Sequence, residues 1–265
     1  EKMLFSLSKC KNEKSYTLSF AQERLFFLCE FDSNANVAYN IPINFKCNKN
    51  HINKELFFKS LVSLIKRHEI LRTVIHEDED HNNEIRQFIL NEKSVDELFL
   101  FNEEICENLN EIDFKLNSLF DFKFNLRNDI PIKALFLVNK ENNETYFYVG
   151  ILLHHICFDG WSYPIFIRDL QAIYDHYSSN CSLSLPPIDI QYKDYSVWQR
   201  EYLNDNKLSK LIEYWKNKLN EFENLNLKPD YDLRPVNYDY SGSDIFFELN
   251  EQTTACLKNY ASKLN

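Results

Sequence analysis

The chain has 265 residues, 44% of them hydrophobic and 22 of them Phe, which is enough to bury one large core or two smaller ones. A formal charge of -10 excludes a general phosphate-backbone binder, and with it nucleic acid as a partner, because such proteins collect Lys and Arg on one surface. Seven Cys, odd in number and without a C-x-x-C pair, exclude a metal finger and a disulfide framework and fit reduced thiols in the cytoplasm.

Glu1-Lys2-Met3-Leu4 lacks the basic, apolar and small-residue order of a secretory signal, and both chain ends read as interior to a longer protein. Ser19 to Phe31 reads as a short helix, and a strand follows in which Ile41, Ile43, Phe45 and Cys47 alternate with Pro42, Asn44 and Lys46. Residues 54–68 form the clearest helix, with Leu56, Ser60/Leu61, Leu64/Ile65 and His68 recurring at spacings of three and four. The acidic run 77–83 reads as a solvated loop.

Ile132 to Val138 and Thr145 to Leu153 predict a hairpin across the turn-rich stretch 139–143. No apolar run reaches the ~18–20 residues that cross a bilayer, and the most apolar stretch, Tyr146 to Leu153, stops at His154, so no membrane is expected as a partner. The chain then turns through Asp159-Gly160 and enters a helix with Ser162 as N-cap and Pro164 in its first turn. Ile165, Phe166, Asp169/Leu170, Ile173/Tyr174 and Tyr177 give that helix its stripe. Helices at 191–203 and 207–223, an irregular segment at 224–239, a strand at 244–249 and a helix capped by Asn250 complete the chain. Alternation without a strict βαβ period predicts a layered α/β fold with an antiparallel or mixed sheet.

Two imidazoles at the exit of an interior strand are unusual, and strand neighbours point to opposite faces, so His154 and His155 cannot easily share a metal ion. Either both are satisfied structural residues beside a tight turn, or one faces the core and the other a cavity. In the second case Asp159 can fold back toward the same corner, the arrangement that fixes an imidazole for proton transfer. Gly160 can take a positive φ and bring its N–H near a reacting carbonyl, or can serve turn geometry alone. Trp161, Trp198 and Trp215 read as core or helix-packing aromatics, and Gln22, Arg24 and Tyr192 as scaffold.

Four segments carry a family resemblance. Ser19-Phe20-Ala21-Gln22-Glu23-Arg24-Leu25, Arg67-His68-Glu69-Ile70-Leu71-Arg72-Thr73, His154 to Ser162 (HHICFDGWS) and Tyr192-Lys193-Asp194-Tyr195-Ser196-Val197-Trp198 resemble, in order, the first four signatures of condensation domains of nonribosomal peptide synthetases. The resemblance implies a chloramphenicol-acetyltransferase-like two-layer lobe with a mixed or antiparallel sheet and flanking helices. It divides the chain into an upstream linker (1–14), an N-terminal lobe (15–235) and the start of a C-terminal lobe (236–265). It implies peptide-bond formation between substrates held as thioesters on 4'-phosphopantetheine arms of donor and acceptor peptidyl carrier domains, next to an adenylation domain and with no cofactor bound by the domain itself. His155 is then catalytic, as a base or by orienting the acceptor amine. His154, Asp159, Gly160 and Arg67 support it, Arg67 being the partner the family suggests for Asp159. A piece ending inside the second lobe is expected to be inactive alone.

The double histidine disfavours heterocyclising relatives, and the first two signatures fit condensation better than epimerisation. Phe158 and Tyr39-Asn40-Ile41-Pro42 lean toward the subtype that takes a donor ending in a D-residue. A non-catalytic carrier-docking module is the alternative of another class, and the intact His155, Asp159 and Gly160 argue against it.

Overall fold

The computed structural model describes residues 7–139, 146–179, 181–203 and 205–223, positions 225, 240, 242 and 245, and residues 247–264. The chain divides after Lys228 into two units. In chain order the first carries β1 (Tyr16–Thr17), α1 (Phe20–Phe31), α2 (Ser33–Ala38), β2 (Asn40–Asn48), α3 (Lys54–Arg67), β3 (Thr73–Asp78) and β4 (Glu84–Ile89). It continues with α4 (Glu92–Leu98), β5 (Glu103–Cys106), α5 (Leu109–Phe120), β6 (Ile132–Asn139), β7 (Tyr146–His154), α6 (Ser162–Ser179), α7 (Tyr192–Tyr202) and α8 (Asp205–Lys218). The second unit carries α9 (Glu251–Leu264), where Asn250 Oδ1 accepts from the Thr253 N–H at 2.8 Å as an N-cap.

The main sheet has the order β2-β7-β6-β5, antiparallel except for the β5-β6 pair, so it is mixed. The near-continuous apolar run of β7 follows from its central place, because both faces are covered. Phe147, Val149, Ile151 and Leu153 join Phe57, Leu61, Leu64 and Ile65 of α3 and Phe166, Leu170 and Ile173 of α6 in one core. Leu152 faces the other way, with Phe26 and Cys29 of α1, and Tyr148 packs on the Ile112/Leu116 side of α5. Full burial of each Leu, Ile or Phe on this strand contributes about 1.5–3 kcal/mol relative to exposure. Gly150 sets the approach of α5: a Cβ there would sit 2.6 Å from Leu116 Cδ2 and 3.0 Å from Leu119 Cδ2.

A smaller antiparallel sheet runs β1-β4-β3. Of the solvated loop expected at 77–83, residues 79–83 are exposed and outside the strands, while Glu77 and Asp78 close β3 and Asp78 is buried, which corrects the expectation there. Asp78 is hydrogen-bonded by Ser15, accepts from His81 Nδ1 at 3.0 Å and lies 3.7 Å from Arg86 Nε. The Ser15 hydrogen bond leads in holding its carboxyl down at about 2. The alternation of charge with solvent exposure breaks down where a strand must end on a paired carboxylate.

Two other expectations change. Trp161 is 86% exposed and Trp215 is 55% exposed, so neither is a core aromatic, whereas Trp198 stacks on Tyr202 with centroids 4.9 Å apart. The strand expected at 244–249 lies partly outside the described residues, and its described members, Ile245 and 247–249, carry no strand pairing. The irregular segment 224–239 lies outside them but for Leu225.

Candidate active site

Strand alternation separates the two imidazoles. His154 continues the face of Leu152 and is 0% exposed; its ring lies against Phe124 at 5.9 Å and its Nε2 is 3.6 Å from Cys29 Sγ. Its Nδ1 accepts from the Ile156 N–H at 3.1 Å, which leaves the proton on Nε2. Burial, then the neighbouring His155, push its pKa down to about 4, so the ring is uncharged near neutral pH. His155 is one residue beyond the strand and exposed. Its backbone N–H donates to the Tyr39 carbonyl at 2.8 Å, one rung past the Asn40↔His154 pair, and its ring meets the Tyr39 ring edge-on at 6.2 Å.

Asp159 does not pair with Arg67. Its Oδ1 accepts from the Ser162 N–H at 2.8 Å and from Ser162 Oγ at 2.6 Å, so Asp159, not Ser162, ties down the start of α6. Its carboxyl is held below the usual range by the Ser162 hydroxyl first, against partial burial, with the Ser162 and Trp161 backbone and the His155 charge adding to the effect. The i to i+3 reach to Ser162 costs little chain entropy, and it leaves Asp159 exposed at the surface.

Arg67 ends α3 and points to the middle of α6, where Nε donates to Asp169 Oδ2 at 3.0 Å and Nη2 to the Pro186 carbonyl at 2.7 Å. Asp169 is fully buried and also accepts from His68 Nε2 at 2.9 Å and, through Oδ1, from Arg168 at 2.7 and 2.9 Å. Burial pushes the Asp169 carboxyl up, and the bonds from Arg168, Arg67 and His68 overcome it and hold it down. Burial likewise pushes His68 down, against the pull of Asp169. A carboxylate inside the apolar stripe of α6 was the sequence signal for this cluster, since a buried charge requires partners.

Gly160 has no positive φ, and a Cβ on it would meet nothing within 4 Å. Of the two roles open to it, the positive-φ conformation is therefore not adopted, and the space around it does not demand glycine.

The remaining signature residues brace one another. Ser19 and Gln22 form a reciprocal capping box at the start of α1, with bonds of 3.1 and 3.0 Å. Ser19 Oγ meets Tyr192 Oη at 2.9 Å, Glu69 pairs with Lys193 Nζ at 2.8 Å, and Gln191 Nε2 donates to the Arg67 carbonyl at 3.0 Å. First, second and fourth signatures thus form one hydrogen-bonded scaffold, as expected for Gln22 and Tyr192, while Arg24 is exposed. Beside it lies a cavity of about 450 Å³, bounded by Cys157 and Phe158 of the motif turn and by Ile165, Phe166 and Tyr192. Among the described residues no group of three or more His, Cys, Asp or Glu side chains is placed to hold a metal, and no helix is long and apolar enough to cross a membrane.

Comparison with known proteins agrees with this architecture. N-(5-amino-5-carboxypentanoyl)-L-cysteinyl-D-valine synthase of Penicillium rubens is 31% identical over 256 residues, 96% of this chain and 7% of that protein. The X-domain in its complex with OxyB from teicoplanin biosynthesis superposes with a TM-score of 0.72 at 18% identity, covering 87% of this chain and 49% of its own. The starter condensation domain of rhizomide synthetase RzmA gives a TM-score of 0.64 at 14% identity, covering 80% of this chain and 49% of its own. The chain thus spans about half of those structures and a small fraction of the curated synthase. The family model for the condensation domain matches residues 12–265, and the chain belongs to the condensation-domain family.

Proposed function

We propose that this chain supplies the histidine-bearing lobe of an amide-forming domain in a nonribosomal peptide synthetase. The observation that carries the reading is the split state of the histidine pair: His154 is buried and uncharged while His155 stands exposed on a backbone pinned to Tyr39.

The chemistry asked of His155 is modest. The acceptor amine, with a reference pKa of about 7.7–8.0, attacks while neutral. Its lone pair forms the C–N bond to the thioester carbonyl carbon, the C–S bond breaks, and the proton lost by nitrogen ends on the departing thiolate. The His155 imidazole either relays that proton or accepts a hydrogen bond that aims the amine. His154 serves by staying neutral, so that it puts no positive charge beside the nitrogen as that nitrogen becomes cationic during attack. Asp159 and Ser162 fix the turn that follows, Gly160 leaves its outer side open, and the Arg67–Asp169 pair locks α3 to α6 behind it.

In this reading residues 15–235 form the N-terminal lobe and 236–265 begin the C-terminal lobe. The substrates arrive on 4'-phosphopantetheine arms of donor and acceptor carrier domains, next to an adenylation domain in the cytoplasm.

The test is to join the chain to its native continuation, supply loaded donor and acceptor carriers, and follow the transferred product by mass spectrometry. Product is expected from the wild type and lost with His155→Ala at an unchanged melting temperature. Full product from the His155→Ala protein would sink the reading.

A further inference from the structure

The His155 ring lacks the brace that acid-assisted histidines use. Asp159, the carboxylate of the same motif, is committed to Ser162 through Oδ1, and among the described residues no side chain hydrogen-bonds the His155 ring nitrogens. What the ring does meet is Tyr39, edge-on, with centroids 6.2 Å apart and planes at 82°. The same tyrosine ring lies 6.4 Å from the His154 ring at 56°, so one phenol spans both imidazoles.

Tyr39 is itself held firmly. It follows α2, and its N–H donates back to the carbonyls of Ala35 and Asn36, both at 3.2 Å. The Asn36 side chain is bonded in both directions to the Phe124 backbone, at 3.0 Å each way, which ties α2 to the segment that flanks His154. From this footing the Tyr39 carbonyl takes the His155 N–H at 2.8 Å. Backbone and ring of one residue therefore fix the backbone and ring of the other. The edge-to-face contact needs an aromatic ring and makes no use of the hydroxyl, which has no hydrogen bond among the described residues.

We infer that Tyr39 is a positioning residue for His155, setting the imidazole by ring packing in the place where a carboxylate would otherwise set it by hydrogen bonding. The inference rests on the proposed amide-forming role of His155. Such positioning affects the rate of the chemical step more than the binding of either carrier, since misplacing a reacting group by about 1 Å costs on the order of 100-fold.

The experiment uses the chain with its native continuation and loaded carriers, in wild-type, Tyr39→Phe, Tyr39→Met and His155→Ala forms, with melting temperatures recorded for each. Met keeps most of the volume without the ring. Tyr39→Phe is expected to keep kcat within about twofold, and Tyr39→Met to lower kcat by about 10- to 100-fold while KM for each carrier stays within about threefold. The His155 ring signals in ¹³C–¹H NMR spectra should move in the Met protein and stay in place in the Phe protein. Wild-type kcat in the Met protein, or unmoved His155 signals, would overturn the inference even with His155→Ala inactive. An equal loss in the Phe protein would overturn it as well, by assigning the effect to the hydroxyl. Full product from His155→Ala would instead overturn the proposed function, and the NMR comparison would still report whether Tyr39 sets the ring.

Discussion

Arg67 donates through Nε to Asp169, 3.0 Å away in the middle of α6, and the carboxylate it reaches is fully buried while that of Asp159 is exposed. The ranking of two substitutions follows. Asp169→Ala leaves Arg67, Arg168 and His68 facing an empty buried site, with an expected loss of about 3–5 kcal/mol. Asp159→Ala removes a helix-start contact and should cost about 0.5–2 kcal/mol. Urea unfolding of the two variants checks this, and a larger loss at Asp159 would contradict the assignment.

The glycines should behave in opposite ways. Gly150→Ala places a methyl against Leu116 and Leu119 of α5, for an expected loss of about 1–3 kcal/mol. Gly160→Ala meets open space and should change stability by no more than about 0.5 kcal/mol. Denaturant midpoints measured side by side distinguish the two.

His154 makes the fold acid-sensitive above the carboxylate range. Its folded pKa, near 4, lies below the ~6.5 of an unfolded histidine, so the unfolded chain binds the proton first. Its stabilising contribution is complete above about pH 6.5, declines as pH falls, and is lost by about pH 4, a span worth roughly 3 kcal/mol. His68, shifted the same way, adds to the slope. Urea midpoints between pH 7.5 and 4.5 should fall in the wild type and fall less steeply in His154→Asn; equal slopes would show that His154 is not the group responsible.

Thiol reactivity should sort by burial. Desolvation pushes Cys29 and Cys47 up to about 11 and Cys10 and Cys157 up to about 12, and Cys106 is raised too. Cys181 and Cys256 are exposed. Brief alkylation of the native chain at pH 8 followed by peptide mass mapping should label Cys181 and Cys256 first. Early labelling of Cys157, inside the motif, would mean that the turn opens readily.

Elements with many periods were legible in the sequence. The three-and-four spacing of α3 and the hairpin of β6 and β7 stand close to where hydropathy puts them, whereas the sequence left two readings of the histidine pair open and the structure divides it between core and surface. Short elements such as β5, with four residues, offer too few repeats to see. The partners of charged groups were not legible either. Arg67 chooses Asp169 over Asp159 because α3 packs along α6, and Tyr39 meets His155 because of the β2-β7 register. Both are facts of tertiary geometry, and both site assignments depended on them.

The bonds that join Ser19 to Tyr192, Glu69 to Lys193 and Arg67 to Gln191 stretch across more than a hundred residues of sequence. For anyone recombining such domains they define where a junction is safe. A crossover placed anywhere between Glu69 and Gln191 takes its two halves from different parents and asks foreign side chains to complete all three contacts. Exchanging residues 10–203 as a block keeps these three pairs together and also the bond from the Cys10 N–H to Asp194. The segments to inherit together are thus drawn by hydrogen bonds rather than by the visible boundaries of helices and strands.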